Sequence, residues 1–324
     1  MFEIKTYPEF SWSLSRHKTL MHCARQYAHQ YYTSHNGWLK DSPEWNKQAY
    51  RLKNLTNLEM YFGSVVHDII EQVIDHYLNT GFIPEETQLT EQVRTLLNKG
   101  FIDSTRRYNE WVQRPKKTTM FHEVYYGKTN QLPKDKIEKI SHRLNVTMKH
   151  FLSCKTMKEL AYNENIEFLE AEKFRILEIG KLKVYVVLDL LYKDREHNKW
   201  VIVDWKTGKQ SEEDPYQLAL YVLYLLQAYP ISDLNNIVIR NEYLLEGEAV
   251  EHQLDQVTLE KVQELIGTSV EWMTDYLEEA SENKPLPLEK FPQTSDQQSC
   301  HYCNFYELCF SNKKSASALV SLDR

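Results

Sequence analysis

The chain has 324 residues and a formal net charge of −7, with 42% hydrophobic and 26% charged residues. This is the composition of an ordinary globular protein of one large domain, or of a core with an inserted lobe, and the negative balance excludes non-specific polyanion binding by the whole surface but not a local basic groove. No apolar run approaches the ~18–20 residues of a membrane span, and the start, MFEIKTYPEF, has no basic segment followed by an apolar one, so no signal peptide is expected and the cytoplasm is.

In chain order, residues 64–78 (SVVHDIIEQVIDHYL) carry apolar residues at 66, 69, 70, 73, 74 and 77, the spacing of an amphipathic helix. His67 lies at the border of that stripe, where a packed core imidazole and a ligand are both possible readings. Residues 85–113 and 134–162 predict further helices, separated by loops near Pro115 and Pro133. The stretch 106–117 gathers Arg106, Arg107, Arg114, Lys116 and Lys117 against Glu110, with Tyr108 and Trp111 interleaved. Cations that track phosphates beside rings that stack on bases suit single-stranded nucleic acid. A solvated helix face and loop is the plainer alternative.

The texture changes at about residue 166. IEFLEAEKFRIL and KLKVYVVLDLLYK read as strands joined by a turn at Gly180, and KWVIVDWKTG as a third strand ending at Gly208. SEEDPYQLALYVLYLLQAY then reads as a helix with Pro215 in its first turn. IVIRNEYLL and AVEHQLD form a hairpin around Glu246–Gly247, and a helix follows over 258–279. Helices, three strands, a helix, further strands and a helix predict an α/β fold with a mixed sheet.

Asp189 interrupts an apolar strand. Asp204 and Lys206, two apart on the next strand, face the same side. A carboxylate in a half-buried strand is costly unless paired or metal-bound. Two of them on neighbouring strands beside a lysine can hold Mg²⁺ or Mn²⁺, with the lysine orienting a water or offsetting charge on phosphoryl oxygens. Taken alone, D-x-K is more simply a salt bridge. Gln217 and Tyr221, i and i+4 on the following helix, share a face and extend the set.

The segments SWSLSRHKTLMHCARQYAHQYY, YFGSVVHDIIE, VVLDLL, VIVDWKTG, YQLALYVLY and CHYCNFYELC stand in an order that resembles RecB-like PD-(D/E)xK nucleases carrying an iron–sulfur cluster, such as the AddB nuclease domain and CRISPR-associated RecB-like exonucleases. The resemblance spans nearly the whole chain. It implies a restriction-endonuclease-like core with a helical lobe at about 79–165, a catalytic α/β core at about 166–280, and a cysteine clasp of 23 and 300–309 joining the termini of a single domain over 1–324. It implies His67, Asp189, Asp204 and the Trp205 carbonyl as metal ligands, Lys206 as the motif lysine, and Gln217 and Tyr221 as its Q-x-x-x-Y pair. Two departures stand out: VYVVLDLL lacks the small residue common before the second-strand Asp, and Ala24 follows the first cysteine where proline is common. Neither removes a ligand.

CHYCNFYELC has three cysteines at C-x2-C-x5-C, and a thiolate metal site normally takes four ligands. By the same resemblance Cys23 joins Cys300, Cys303 and Cys309 around a [4Fe–4S] cluster, leaving Cys154 outside; zinc on the same four is the alternative. The resulting expectation is a metal-dependent deoxyribonuclease, an exonuclease on single-stranded DNA or DNA ends, in repair, recombination, or phage or CRISPR DNA processing. No G-x-x-x-x-G-K-[ST] occurs, so any unwinding would come from a separate helicase. The rival reading is a non-catalytic DNA-end-binding module of a larger helicase–nuclease complex.

Overall fold

The computed structural model describes residues 4–127, 129–210 and 214–310. Ser13 caps α1 (Leu14–His22) by accepting from Arg16 N. Cys23, in extended conformation, ends α1 and caps α2 (Ala24–Ala28), its Sγ accepting from Gln26 N at 3.4 Å. A π turn at His29–Thr33 leads to α3 (Glu44–Lys53) and α4 (Leu58–Thr80). The helix expected over 64–78 is α4, longer at both ends: Asn57 caps the N–H of Met60, and Gly81 closes the helix at φ +71°.

The two long helices expected next each break once. α5 (Glu86–Arg106) and α6 (Tyr108–Gln113) part at Arg107, with φ −120° and ψ 36°. After α7 (His122–Tyr125), α8 (Lys134–Ser153) and α9 (Lys155–Tyr162) part at Cys154, whose extended backbone lets Sγ cap Met157 N. Apolar spacing continues on both sides of a one-residue break, so periodicity alone does not reveal it.

β1 (Ile166–Ile179), β2 (Leu182–Asp194) and β3 (Lys199–Lys206) form an antiparallel meander, with Gly180 at φ +60° in the first turn. α10 (Asp214–Ala228) crosses over to β4 (Ile237–Tyr243), which runs parallel to β3, and β5 (Glu248–His252) returns antiparallel. The sheet order β1-β2-β3-β4-β5 is the mixed sheet expected. α11 (Gln256–Thr274) stops short of residue 279. The chain turns so that Tyr276 stacks on Phe291, centroids 4.7 Å apart, and β6 (Leu277–Glu279) pairs with β7 (Lys284–Pro285). α12 (Gln297–Cys300) and α13 (Tyr306–Phe310) follow.

Helices cover both sheet faces. One layer, with α4, α5, α8 and α9, buries Leu190, Tyr192, Val201, Val203 and Trp205. The other, with α1, α2, α10 and α11, buries Leu188, Leu191, Trp200 and Ile202. Each such side chain contributes about 1.5–3 kcal/mol by leaving water. Alternation along β3 sends Asp204 and Lys206 to the α10 side. Along β2 it slips by one around Asp189, since Leu188 and Leu191 pack in the same layer. No described helix is long and apolar enough to cross a membrane.

Candidate active site

The site lies where β2 and β3 meet α4 and α10. A Cβ at Gly63 of α4 would stand 3.1 Å from Thr207 Oγ1, just past the end of β3. Its absence lets the helix lie against the strand end, and His67 follows one turn on. His67 Nδ1 lies 3.6 Å from Asp189 Oδ2. That oxygen also accepts from Trp205 N at 2.7 Å. The cross-strand ladder of β2 with β3 runs from Leu190–Val203 to Asp194–Lys199, so the Asp189 carboxylate takes over a backbone donor where that ladder has ended.

Asp204 is 2% exposed and fully surrounded by donors. Its Oδ2 receives Lys206 Nζ at 2.7 Å and Asn241 Nδ2 at 3.0 Å. Its Oδ1 receives Gln217 Nε2 at 3.2 Å and the Tyr221 hydroxyl at 3.3 Å. Lys206 Nζ also donates to Gln217 Oε1 at 3.1 Å, and Gln217 Nε2 to the Tyr221 oxygen. The ion pair that D-x-K alone suggests is therefore present, but as one edge of a network. Burial, then the Asp204 and Asp189 charges, push the Tyr221 hydroxyl well above its ordinary pKa, so it stays a donor. Trp205 sends its ring to the opposite face, perpendicular to Phe151 at 5.5 Å.

The sequence reading missed Asn241 and His252. Asn241, fully buried on β4, accepts at Oδ1 from His252 Nε2 of β5 at 2.9 Å and so is aimed at Asp204. The signal was available: Arg240, Asn241 and Glu242 are three consecutive polar residues inside an apolar strand, all buried. Arg240 and Glu242 serve a separate network with Thr156, Glu159 and Tyr192.

Among the described residues no three His, Cys, Asp or Glu side chains stand in metal-holding geometry. The donor chemistry of the site does suit a hard divalent cation. Two buried carboxylates, Asp189 and Asp204, both act on Tyr221, and an imidazole adjoins the first.

All five cysteines are free thiols. Burial raises the pKa of Cys300, Cys303 and Cys309, that of Cys303 to about 12, and each of the three also feels Cys23. Cys303 further feels Cys300 and Cys309. Cys154 lies elsewhere, beside Glu242 and Arg240. Direct bonds dock the segment 291–307 on the rest of the chain. Arg25 donates from N to Pro292 O at 3.0 Å and from Nε to Phe291 O at 2.8 Å. Asn304 donates to Leu55 O, and Gln48 and Tyr125 to Glu307.

The basic stretch 106–117 divides. Arg106, Arg114, Lys116 and Lys117 are exposed, but Arg107 is taken up by Asp103 at 2.7 Å and by Glu110. Trp111, expected to offer its ring to a base, is fully buried against Tyr108 and Tyr125. Its spacing on α6 turns it inward while Tyr108 stays exposed.

The family model of the PD-(D/E)XK nuclease superfamily matches residues 11–310. No curated protein matches. A solved structure described as "Crystal structure of SSO0001" aligns at 15% identity over 75% of this chain and 94% of that chain, with a TM-score of 0.26, and a likeness that slight carries no argument.

Proposed function

The chain belongs to the PD-(D/E)XK nuclease superfamily, and from that premise we propose that it is a metal-dependent deoxyribonuclease acting exonucleolytically on single-stranded DNA or DNA ends. One observation carries the reading: the closed Asp204–Lys206–Gln217–Tyr221 network at the end of β3, with Asp189 and His67 beside it. His67, Asp189, Asp204 and the Trp205 carbonyl would hold Mg²⁺ or Mn²⁺. Such an ion supplies Lewis acidity toward phosphoryl oxygens and lowers the pKa of a bound water.

The chain's own groups do the positioning. Lys206, 20% exposed at its side chain, is the cation of the network that reaches solvent. Its ammonium would meet the charge that builds on the scissile phosphate. Gln217 fixes the lysine through Oε1 and the carboxylate through Nε2, so neither can rotate away. Tyr221 donates to Asp204 from behind and, kept protonated, adds no charge.

A RecB-like affiliation with a [4Fe–4S] cluster on Cys23, Cys300, Cys303 and Cys309 belongs to the same proposal. It is supported by the cysteine spacing and by the nearness of Cys23 to the other three, each of which feels its charge. Strand separation would be the work of a separate helicase. The test is degradation of end-labelled single- and double-stranded DNA with Mn²⁺, with and without chelator. Chelator-sensitive release of mononucleotides from an end supports the reading. Binding of DNA ends without any cleavage would favour the non-catalytic module instead.

A further inference from the structure

Three side chains far apart in sequence meet beside the site and take no part in it. The Tyr31 ring, on the π turn, has Arg16 Cζ of α1 4.4 Å from its centroid and Lys53 Nζ of α3 5.6 Å from it. Arg16 Nη1 donates to Ser11 O at 3.1 Å. Among the described residues neither Arg16 nor Lys53 has a carboxylate within ion-pair distance, although other lysines and arginines of the chain do, such as Lys136, Lys155, Arg175 and Arg240. Burial first, and then Arg16 and Lys116, hold the Lys53 ammonium down to about 8. Gathering like charges at a half-buried place opposes folding unless an anion answers them.

Two of the three elements, α1 and the π turn, open onto a cavity of about 490 Å³ that Lys53 does not itself line. Arg16, Lys18 and Tyr31 line one side, Phe174, Tyr185 and Val187 of the β1–β2 hairpin the other, and Gln217 and Tyr221 its end. Phe174 and Tyr185 lie with ring centroids 4.8 Å apart, and Phe174 is 56% exposed. Arg16 on one wall with Lys53 on the same Tyr31 ring beyond the lining, open rings on the other wall and the Asp204 network at the end describe a track for one nucleic-acid strand: phosphates answer the cations, and bases find stacking faces. A duplex would have to bury its paired bases away from those rings.

We propose that Arg16 within this cavity and Lys53 beside it, both on the Tyr31 ring, grip the phosphodiester backbone of a single strand that enters the cavity, with Phe174 and Tyr185 as base platforms, and so deliver the strand to Gln217 and Lys206. The inference rests on the nuclease reading for its destination but on its own residues for the grip. The test is equilibrium binding of a fluorescent oligothymidylate, by anisotropy, in chelator, over a range of salt. The double variant Arg16→Gln/Lys53→Gln should bind at least ~10-fold more weakly, and the slope of log K against log salt should shrink by about 1.4, two contacts at ~0.7 each. Arg16→Lys/Lys53→Arg, which keeps both charges, should retain affinity and melting temperature, and this separates grip from folding. Phe174→Ala should weaken the single strand while leaving any duplex affinity alone. Unchanged affinity and slope in a folded Gln double variant would overturn the proposal. Cleavage by the unaltered protein is scored separately: a strand gripped through Arg16 and Lys53 but never cut leaves the grip standing and removes the nuclease reading, and a strand cut without regard to them does the reverse.

Discussion

Asp204 receives four donors, from Lys206, Asn241, Gln217 and Tyr221. The thiols of Cys23, Cys300 and Cys309 bond instead to Gln26, Asp296 and His29, and among the described residues not to one another. The first group is assembled in the core of the sheet and its charge is balanced by protein groups. In the second, Cys23 adds to the burial that raises the pKa of Cys300, Cys303 and Cys309, and only protons or a metal can balance the set as thiolates. The difference teaches where each group's stability comes from. The carboxylate site should keep its shape whatever occupies it. The thiol end should keep its shape through the bonds that dock the tail, Arg25 to Phe291 and Pro292, Asn304 to Leu55 and Glu307 to Gln48 and Tyr125, with any metal adding to them.

The largest expected effect breaks the carboxylate side. Asp204→Ala and Lys206→Ala should each lower DNA cleavage by ~10³-fold or more, as losses at a charge-stabilising centre do, and Asp189→Ala should follow. Asp204→Ala strands buried donors and should cost about 1–3 kcal/mol of stability, not the fold. Both quantities come from the same preparations, by nucleotide release with Mn²⁺ and by thermal melting. Undiminished cleavage in either variant would remove the centre.

Next comes the thiol side. Anaerobically purified protein should be brown with about four irons per chain. Cys23→Ala and Cys303→Ala should bleach it equally, and Cys154→Ala should not. A covalent clip across so long a loop is worth at most about 5 kcal/mol, and the tail's own docking bonds should make the measured loss smaller. Protease should then open the two ends before the central strands. A colourless protein with one zinc keeps the four thiols and discards the iron. Iron retained in Cys23→Ala would show that the ligand set is wrong.

These expectations also mark what was legible. The strands, the crossover helix and the shared faces of Asp204 with Lys206 and of Gln217 with Tyr221 were readable because periods of two and 3.6 place residues on faces without knowledge of the fold, while joining the two pairs into one site came from the family resemblance. The breaks at Arg107 and Cys154 were not, because an apolar stripe does not register one extended residue. Trp111 was misjudged because a ring in a basic stretch looks like a platform until the helix phase is known. Asn241, Arg16 and Lys53 were invisible as partners since only the folded chain brings β4 to β3, or α1 and α3 to Tyr31.

A finer comparison lies within the carboxylate site, between its rim and its floor. His67→Ala should lose activity with little change in melting temperature, partly recovered at high Mn²⁺, because its imidazole sits at the rim with 27% of the side chain exposed. Asn241→Ala removes a buried donor to Asp204 and should lower metal affinity or activity by about 10–100-fold, with a stability loss of about 1–3 kcal/mol. Metal titrations of both variants against melting curves separate the two. Equal melting losses would erase the distinction between rim and floor, and a destabilised His67→Ala with full specific activity in the cold would make that histidine a packing residue.

The smallest effect is a pH dependence, and its sign sets the Arg16–Lys53 pair apart from the rest of the molecule. Lys53 is held down to about 8 by burial, by Arg16 from α1 and by Lys116 from the segment after α6. The Tyr31 hydroxyl, raised by burial, stays neutral through that range. Below about 8 the ammonium is present and can meet a phosphate; above it the grip loses one charge. Affinity for oligothymidylate should therefore fall as pH rises through about 8, by about threefold for one contact, and Lys53→Arg should flatten the profile. Stability runs the other way. In the unfolded chain a lysine titrates near ~10.4, so between there and about 8 the unfolded state binds more protons than the folded one, and this group's contribution to stability rises with pH. Alkaline conditions should weaken binding while the Lys53 contribution to melting improves. A loss of binding that tracked a falling melting temperature in the unaltered protein and in Lys53→Arg alike would assign the effect to unfolding and remove Lys53 from the grip.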